Sequence, residues 1–312
     1  MCCFAVEVLD VGQTKIFARL TGDGSQFIAY QMRYKSAEPN AMILPIPVRL
    51  PSAEDSIEFI DLSEYSTFFH DLSRGFPNTR SESILATDAK VAPVPELVVH
   101  DVGNFVASFV PSVDDFERLD PRFVIPKETW LQIPEYADYG FAVFKLKDLE
   151  AETHPMAFRF RTRDESLFFP TVHIHDGEVH EEEEFDHVLY MQNGAFDDCV
   201  GEYQGLGKPD RATGVVRSQK VANRFCEIEK SKGLLAPDQL LHRVRLDGKL
   251  PNKDTVFTPR ISPSVAVEPF GFRQLLAWWP VAIPVAGLAW LIGRRNSLGK
   301  TTDKHSDSPS EK

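Results

Sequence analysis

Near its C-terminal end the chain carries 19 consecutive residues without a charge, 275–293, and this stretch sets how the rest can be organised. As one helix it would extend about 28 Å, close to the ~30 Å hydrocarbon thickness of a bilayer. Arg273 precedes the run and Arg294 and Arg295 follow it, while Trp278, Trp279 and Trp290 stand near its two ends, where interfacial residues belong. Pro280 and Pro284 would spoil a soluble helix, but a membrane helix tolerates them where neighbours satisfy the freed carbonyls. The expected organisation is a globular domain over 1–250, a linker over 251–274, a transmembrane helix over 275–293 and a tail over 294–312. That tail is dominated by Ser, Lys, Asp, Glu and Pro and lacks the apolar surface needed to fold. The implied partner is the lipid bilayer, and the implied localisation is a membrane, crossed once. Orientation stays open: the first residues hold no basic-then-apolar leader, which favours a cytoplasmic domain, whereas the cationic flank after the run favours a cytoplasmic tail.

The residues ahead of the run are enough to bury a real core. A formal net charge of −12 without a basic cluster excludes the electrostatic footprint of a nucleic-acid binder. Twenty-three Phe against seven Tyr favour a packed, sheet-rich body.

Alternation and turn punctuation predict strands over 3–9, 14–20 and 26–34, with Gly12 and the Gly22-Asp23-Gly24 triplet as turns. Pro45 and Pro47 place 41–48 at a sheet edge. Leu62, Tyr65, Phe68, Phe69 and Leu72 recur at helical spacing, with Ser63 as cap and Gly75 and Pro77 as stops. Two strands are expected between 90 and 111, a helical stretch over 127–136, and strands over 141–146 and 157–163. A third helix is expected over 217–232, with Val221, Phe225 and Ile228 on one side and Gly233 ending it. Strands and helices mix without regular alternation, which argues for an α+β fold built on a mainly antiparallel sheet.

The strongest local chemical signal lies in 169–180. Asp176-Gly177 between alternating segments predicts a two-residue hairpin turn. In that register His173 faces His180 and His175 faces Glu178, so His173, His175, Glu178 and His180 share one face. Three imidazoles and a carboxylate form a donor set for zinc or a similar divalent transition metal. The alternative is a solvated hairpin face with no ligand. Glu181 to Glu184 read as a solvated charge run, with His187 able to join the histidine face. The four cysteines, Cys2, Cys3, Cys199 and Cys226, show no metal-ligand spacing, and no phosphate loop, nucleophile elbow or HExxH helix occurs.

The opening of the chain resembles that of N-terminal nucleophile hydrolases with cysteine at position two, in which a cysteine leads a strand, a turn and a second strand carrying an arginine, here Arg19. The resemblance implies loss of Met1 and a free α-amine acting as base to the Cys2 thiol. A wider likeness rests on Cys2-Cys3-Phe4, Ile16-Phe17-Ala18-Arg19, Phe27-Ile28-Ala29-Tyr30-Gln31, residues 40–47, Tyr139-Gly140-Phe141-Ala142-Val143-Phe144 and residues 154–160. Over most of 2–189 these segments resemble a bacterial family of unknown function with a cysteine-leading, β-rich domain, whose members are often secreted or anchored. That resemblance implies no activity. Three functions are therefore expected in competition: a non-enzymatic interaction or envelope module held at a membrane, a metal-binding protein or metal-dependent enzyme centred on His173, His175, Glu178 and His180, and a thiol hydrolase using Cys2.

Overall fold

The computed structural model describes residues 3–76, 100–102, 105–199 and 214–258. In chain order the strands of the first half are β1 (Cys3–Phe4), β2 (Val8–Leu20), β3 (Ser25–Ser36), β4 (Ala41–Ile46), β5 (Ile57–Asp61), β6 (His100–Val102), β7 (Phe105–Val110) and β8 (Gly140–Leu146). They are followed by β9 (Glu150–Glu152), β10 (Met156–Arg161), β11 (Leu167–Phe169), β12 (Glu182–Gln192), β13 (Val216–Arg217), β14 (His242–Pro251) and β15 (Thr255–Phe257). The helices are short: α1 (Phe68–Arg74), α2 (Lys127–Trp130) and α3 (Gly194–Cys199), with several single 3-10 turns.

Two sheets carry the architecture. One has five strands in the order β1-β4-β8-β7-β6, all antiparallel. The other runs β13-β14-β12-β2-β3-β10-β5, with β9 added beside β3, and its one parallel pair is β12 with β2. A two-stranded ribbon joins β11 to β15. The expected β-rich α+β class with mainly antiparallel pairing is what forms.

The sheets face each other across a core in which Ile16, Ile28, Tyr30 and Phe158 of the larger sheet meet Met42, Leu44, Phe109 and Phe144 of the smaller. Phe59 and Phe144 meet edge to face across this interface, with ring centroids 5.6 Å apart. The outward faces are covered as well. Phe17, Ala29, Ala157 and Tyr190 lie under α1, Leu234 and Leu241, while Ile43, Phe141 and Val143 lie under Phe116, Trp130 and Tyr136. Burial on both faces explains why β4 is buried at every position and β3 along its first eight residues, where a half-solvated strand would alternate.

Several sequence expectations change for local reasons. Gly12 does not end a strand; Gly12 and Gln13, the latter at φ +55°, form an irregularity inside the single long β2, where Asp186 Oδ2 accepts the Gln13 amide. β4 is an interior strand, lying between β1 and β8, and Pro45 is tolerated because the two-residue β1 pairs with Met42 and Ile43 and, among the described residues, leaves Pro45 unpaired on that side. The helix expected around 62–72 splits into a 3-10 turn, Ser63–Tyr65, and α1. The helix expected over 217–232 is absent. In its place stand β13 and two 3-10 turns, Ala222–Arg224 and Glu229–Ser231, with Phe225 and Ile228 between them packed against the core, while Lys232 at φ +49° and Gly233 at φ +85° turn the chain. Part of the segment read as a linker is structured, since β15 pairs with β11. Residues 275–293 and 294–312 lie outside the described residues, as does Cys2. Among the described residues no helix is long and apolar enough to cross a membrane.

Candidate metal centre

The hairpin expected over 173–180 does not form. Asp176 and Gly177 make a tight turn, with Gly177 at φ +86° and Asp176 Oδ1 accepting the Glu178 amide at 3.0 Å. The flanking residues then find other partners. Ile174 makes a parallel bridge to Cys3 and accepts the Phe4 amide at 2.9 Å, so this segment adds to the edge of the five-stranded sheet. The backbone groups of His173 go to a side chain: Asn252 Oδ1 accepts its N–H at 2.7 Å, and Asn252 Nδ2 donates to its C=O at 2.9 Å.

Two of the four expected ligands are thereby removed from the site. Glu178 is exposed, and exposed His180 pairs through Nε2 with Asp176 Oδ2 at 2.9 Å. That hydrogen bond raises the His180 pKa and lowers that of Asp176. His173 and His175 stay together, with ring planes 27° apart and centroids 5.0 Å apart.

Their new neighbour is β12. The glutamate run does not form a uniformly solvated stretch; it opens a strand on which Glu182 and Glu184 are exposed and Glu183 is half-buried. Residues two apart share a strand face, so Glu183, Phe185 and His187 line one side. Phe185 stacks on His173 at 4.3 Å between centroids, and His187 lies 5.2 Å from the same ring. His173, His175 and Glu183 each bring a ligand atom into a group whose members all lie within 4.8 Å of one another. Donor atoms around a tetrahedral zinc are separated by about 3.3 Å, so modest side-chain rotation would close the set on an ion.

The electrostatics suit neutral imidazoles. His173 and His187 have no exposed surface. Burial pushes the His175 imidazole down to about 4 and that of His173 lower still, so both rings carry lone pairs at neutral pH, as ligation requires. His175 Nε2 is buried without a hydrogen-bond partner among the described residues.

Of the residues of the thiol-hydrolase expectation, Cys2 lies outside the described residues and Arg19 lies within them. Arg19 donates through Nε to the Leu234 carbonyl at 2.6 Å and through a terminal nitrogen to the Gly233 carbonyl at 2.5 Å, and it sits 4.9 Å over the Phe27 ring. Cys3 is buried, with its thiol 3.8 Å from the Val172 carbonyl, and burial pushes the Cys226 thiol up to about 12. Glu183 and Asn252 are the functional candidates that sequence reasoning missed. The alternation Glu183-Phe185-His187 carries a signal for the first; nothing local marks the second.

No family model and no curated protein matches the chain. Among solved structures it is similar to baculovirus P35, at 15% identity and a TM-score of 0.40, over 82% of this chain and 98% of that one. It is similar at 12% identity to a mutated baculovirus P35 after caspase cleavage, with a TM-score of 0.38 over 78% and 99% of the two chains. It also resembles a chain of the caspase-8/P35 complex, at 12% identity and a TM-score of 0.37 over 78% and 95%. Likeness at this level assigns no function.

Proposed function

We propose that this domain binds a divalent transition metal through His173, His175 and Glu183. The observation behind the reading is the convergence of two imidazoles and one carboxylate, delivered by separate segments, within 4.8 Å. The donor set of two nitrogens and one oxygen suits zinc and neighbouring divalent ions better than calcium or magnesium, which prefer all-oxygen shells. Three protein donors leave a fourth position of a tetrahedral ion for water or a bound anion, the arrangement of catalytic zinc sites. His175 and Glu183 are partly exposed, which gives that position a route to solvent, while His173 and Phe185 close the opposite side.

Cobalt(II) titration tests the reading, because a low-coordinate Co²⁺ ion absorbs visibly far more strongly than the hydrated ion. One equivalent should produce the intense band, and H173A should abolish it. A wild-type chain that shows only the weak spectrum of hydrated cobalt would end the proposal. Anchorage through 275–293 stands beside this reading, supported by the uncharged run and its flanking Trp and Arg residues. Alkaline carbonate extraction should leave the full chain with the membrane pellet; quantitative release would remove the anchor.

A further inference from the structure

We infer that Asn252 is the positioning residue of the metal site, an inference that rests on the reading of His173, His175 and Glu183 as ligands. Three side-chain hydrogen bonds support it. Asn252 Oδ1 accepts the His173 amide at 2.7 Å, and Asn252 Nδ2 donates to the carbonyls of His173 at 2.9 Å and His180 at 3.0 Å. One amide side chain thus holds both peptide groups of a ligand and clamps the two ends of the loop that carries His175.

Its own backbone is fixed to the third ligand. Asn252 follows β14 directly, its amide donates to the Glu181 carbonyl at 2.9 Å, and in the β12–β14 ladder Glu183 stands opposite Leu250. The loop bearing the histidines and the strand bearing the carboxylate are therefore registered through the turn that carries Asn252. The adjoining turn residues grip the same segment: Asp254 Oδ1 accepts the amides of Thr171 and Val172 at 2.8 and 3.2 Å, and Thr171 Oγ1 donates to the Lys253 carbonyl at 2.9 Å. These contacts secure the approach to His173, and Asn252 binds the peptide groups of the ligand itself.

The chemistry of the amide is specific. Only a side chain that accepts once and donates twice satisfies these three groups, and neither a carboxylate nor a methyl group can. Removing it should leave the donor atoms in the protein but let their separation vary, and outer-shell changes of this kind weaken metal binding by about 10- to 100-fold.

The test compares Zn²⁺ dissociation constants, by competition against a chromogenic chelator, and Co²⁺ spectra for the full-length wild type, N252A and N252D. The expected result is a Kd at least about tenfold higher in both variants with a shifted Co²⁺ band, while metal-free N252D keeps the wild-type circular dichroism spectrum. N252D keeps acceptance of the His173 amide and turns the two donations into a carboxylate oxygen facing the His173 and His180 carbonyls, so it decides the matter if N252A fails to fold. A Kd within twofold of wild type and an unchanged band in N252D would overturn the inference while leaving the metal site standing. A wild type that binds neither ion would remove the site itself, and the positioning role with it.

Discussion

Replacing Asp254 by Asn should remove one pH-dependent contribution to stability. Asp254 keeps part of its surface in water, yet its carboxyl group is enclosed by the Tyr136 hydroxyl at 2.7 Å and the amides of Thr171 and Val172. Burial outweighs these hydrogen bonds and pushes its pKa up to about 6 from an ordinary 3.8. A carboxyl group whose pKa is higher in the folded than in the unfolded chain holds its proton more tightly when folded. Its contribution is fully present below about pH 4 and is lost as pH rises through 6. A shift of about 2 units corresponds to roughly 3 kcal/mol. Asn mimics the neutral acid: its oxygen accepts the two amides and its NH₂ faces the Tyr136 oxygen. D254N should therefore match wild type at pH 4 and exceed it by up to about 3 kcal/mol at pH 7. His175, with its pKa lowered to about 4, contributes the opposite slope, gaining stability as pH rises from 4 to about 6.5, but it is common to both proteins and cancels in the difference. Urea denaturation with chelator present, followed by tryptophan fluorescence at pH 4, 5, 6 and 7, measures that difference directly. A stability difference that does not change across this range, or that favours wild type increasingly toward pH 7, would refute the assignment of a neutral buried acid.

Two further substitutions probe the packing around the site's scaffold. A Cβ at position 140 would lie 2.4 and 2.5 Å from ring carbons of Phe109, itself almost fully buried, so G140A should destabilise by about 1–3 kcal/mol and lower the melting temperature by several degrees; an unchanged melting temperature would show that the ring moves freely. Tyr65 donates to Asp71 Oδ2 and accepts the Glu227 amide, bonds of 2.9 and 2.8 Å that fasten the turn after β13 to α1. Y65F should cost about 1–3 kcal/mol in the same urea assay, and a loss below a few tenths would mean that water replaces both bonds.

The fold class was legible because alternation and aromatic density survive without tertiary information: β3, β8 and β10 fall where Phe27, Phe141 and Phe158 lead one to expect them. What escaped was set by long-range pairing. Pro45 argues for an edge only until the brevity of β1 is known, and the spacing of Val221, Phe225 and Ile228 is produced equally by 3-10 turns laid on a core. The candidate site shows the same division. His173 and His175 were legible as neighbours on one face, whereas Glu178 and His180 were assigned by a hairpin register that two long-range contacts, the Ile174–Cys3 bridge and the grip of Asn252, override. Glu183 was hidden inside a glutamate run whose alternate exposure emerges only once the strand has a core to face.

The measurement that bears most directly on the account is the zinc content of the purified full chain, determined by plasma mass spectrometry after dialysis, together with four variants. Close to one equivalent is expected for wild type, E178Q and H180A, and near zero for H173A and E183Q. A zinc-free wild type, or loss of metal in E178Q and H180A with retention in E183Q, would contradict it.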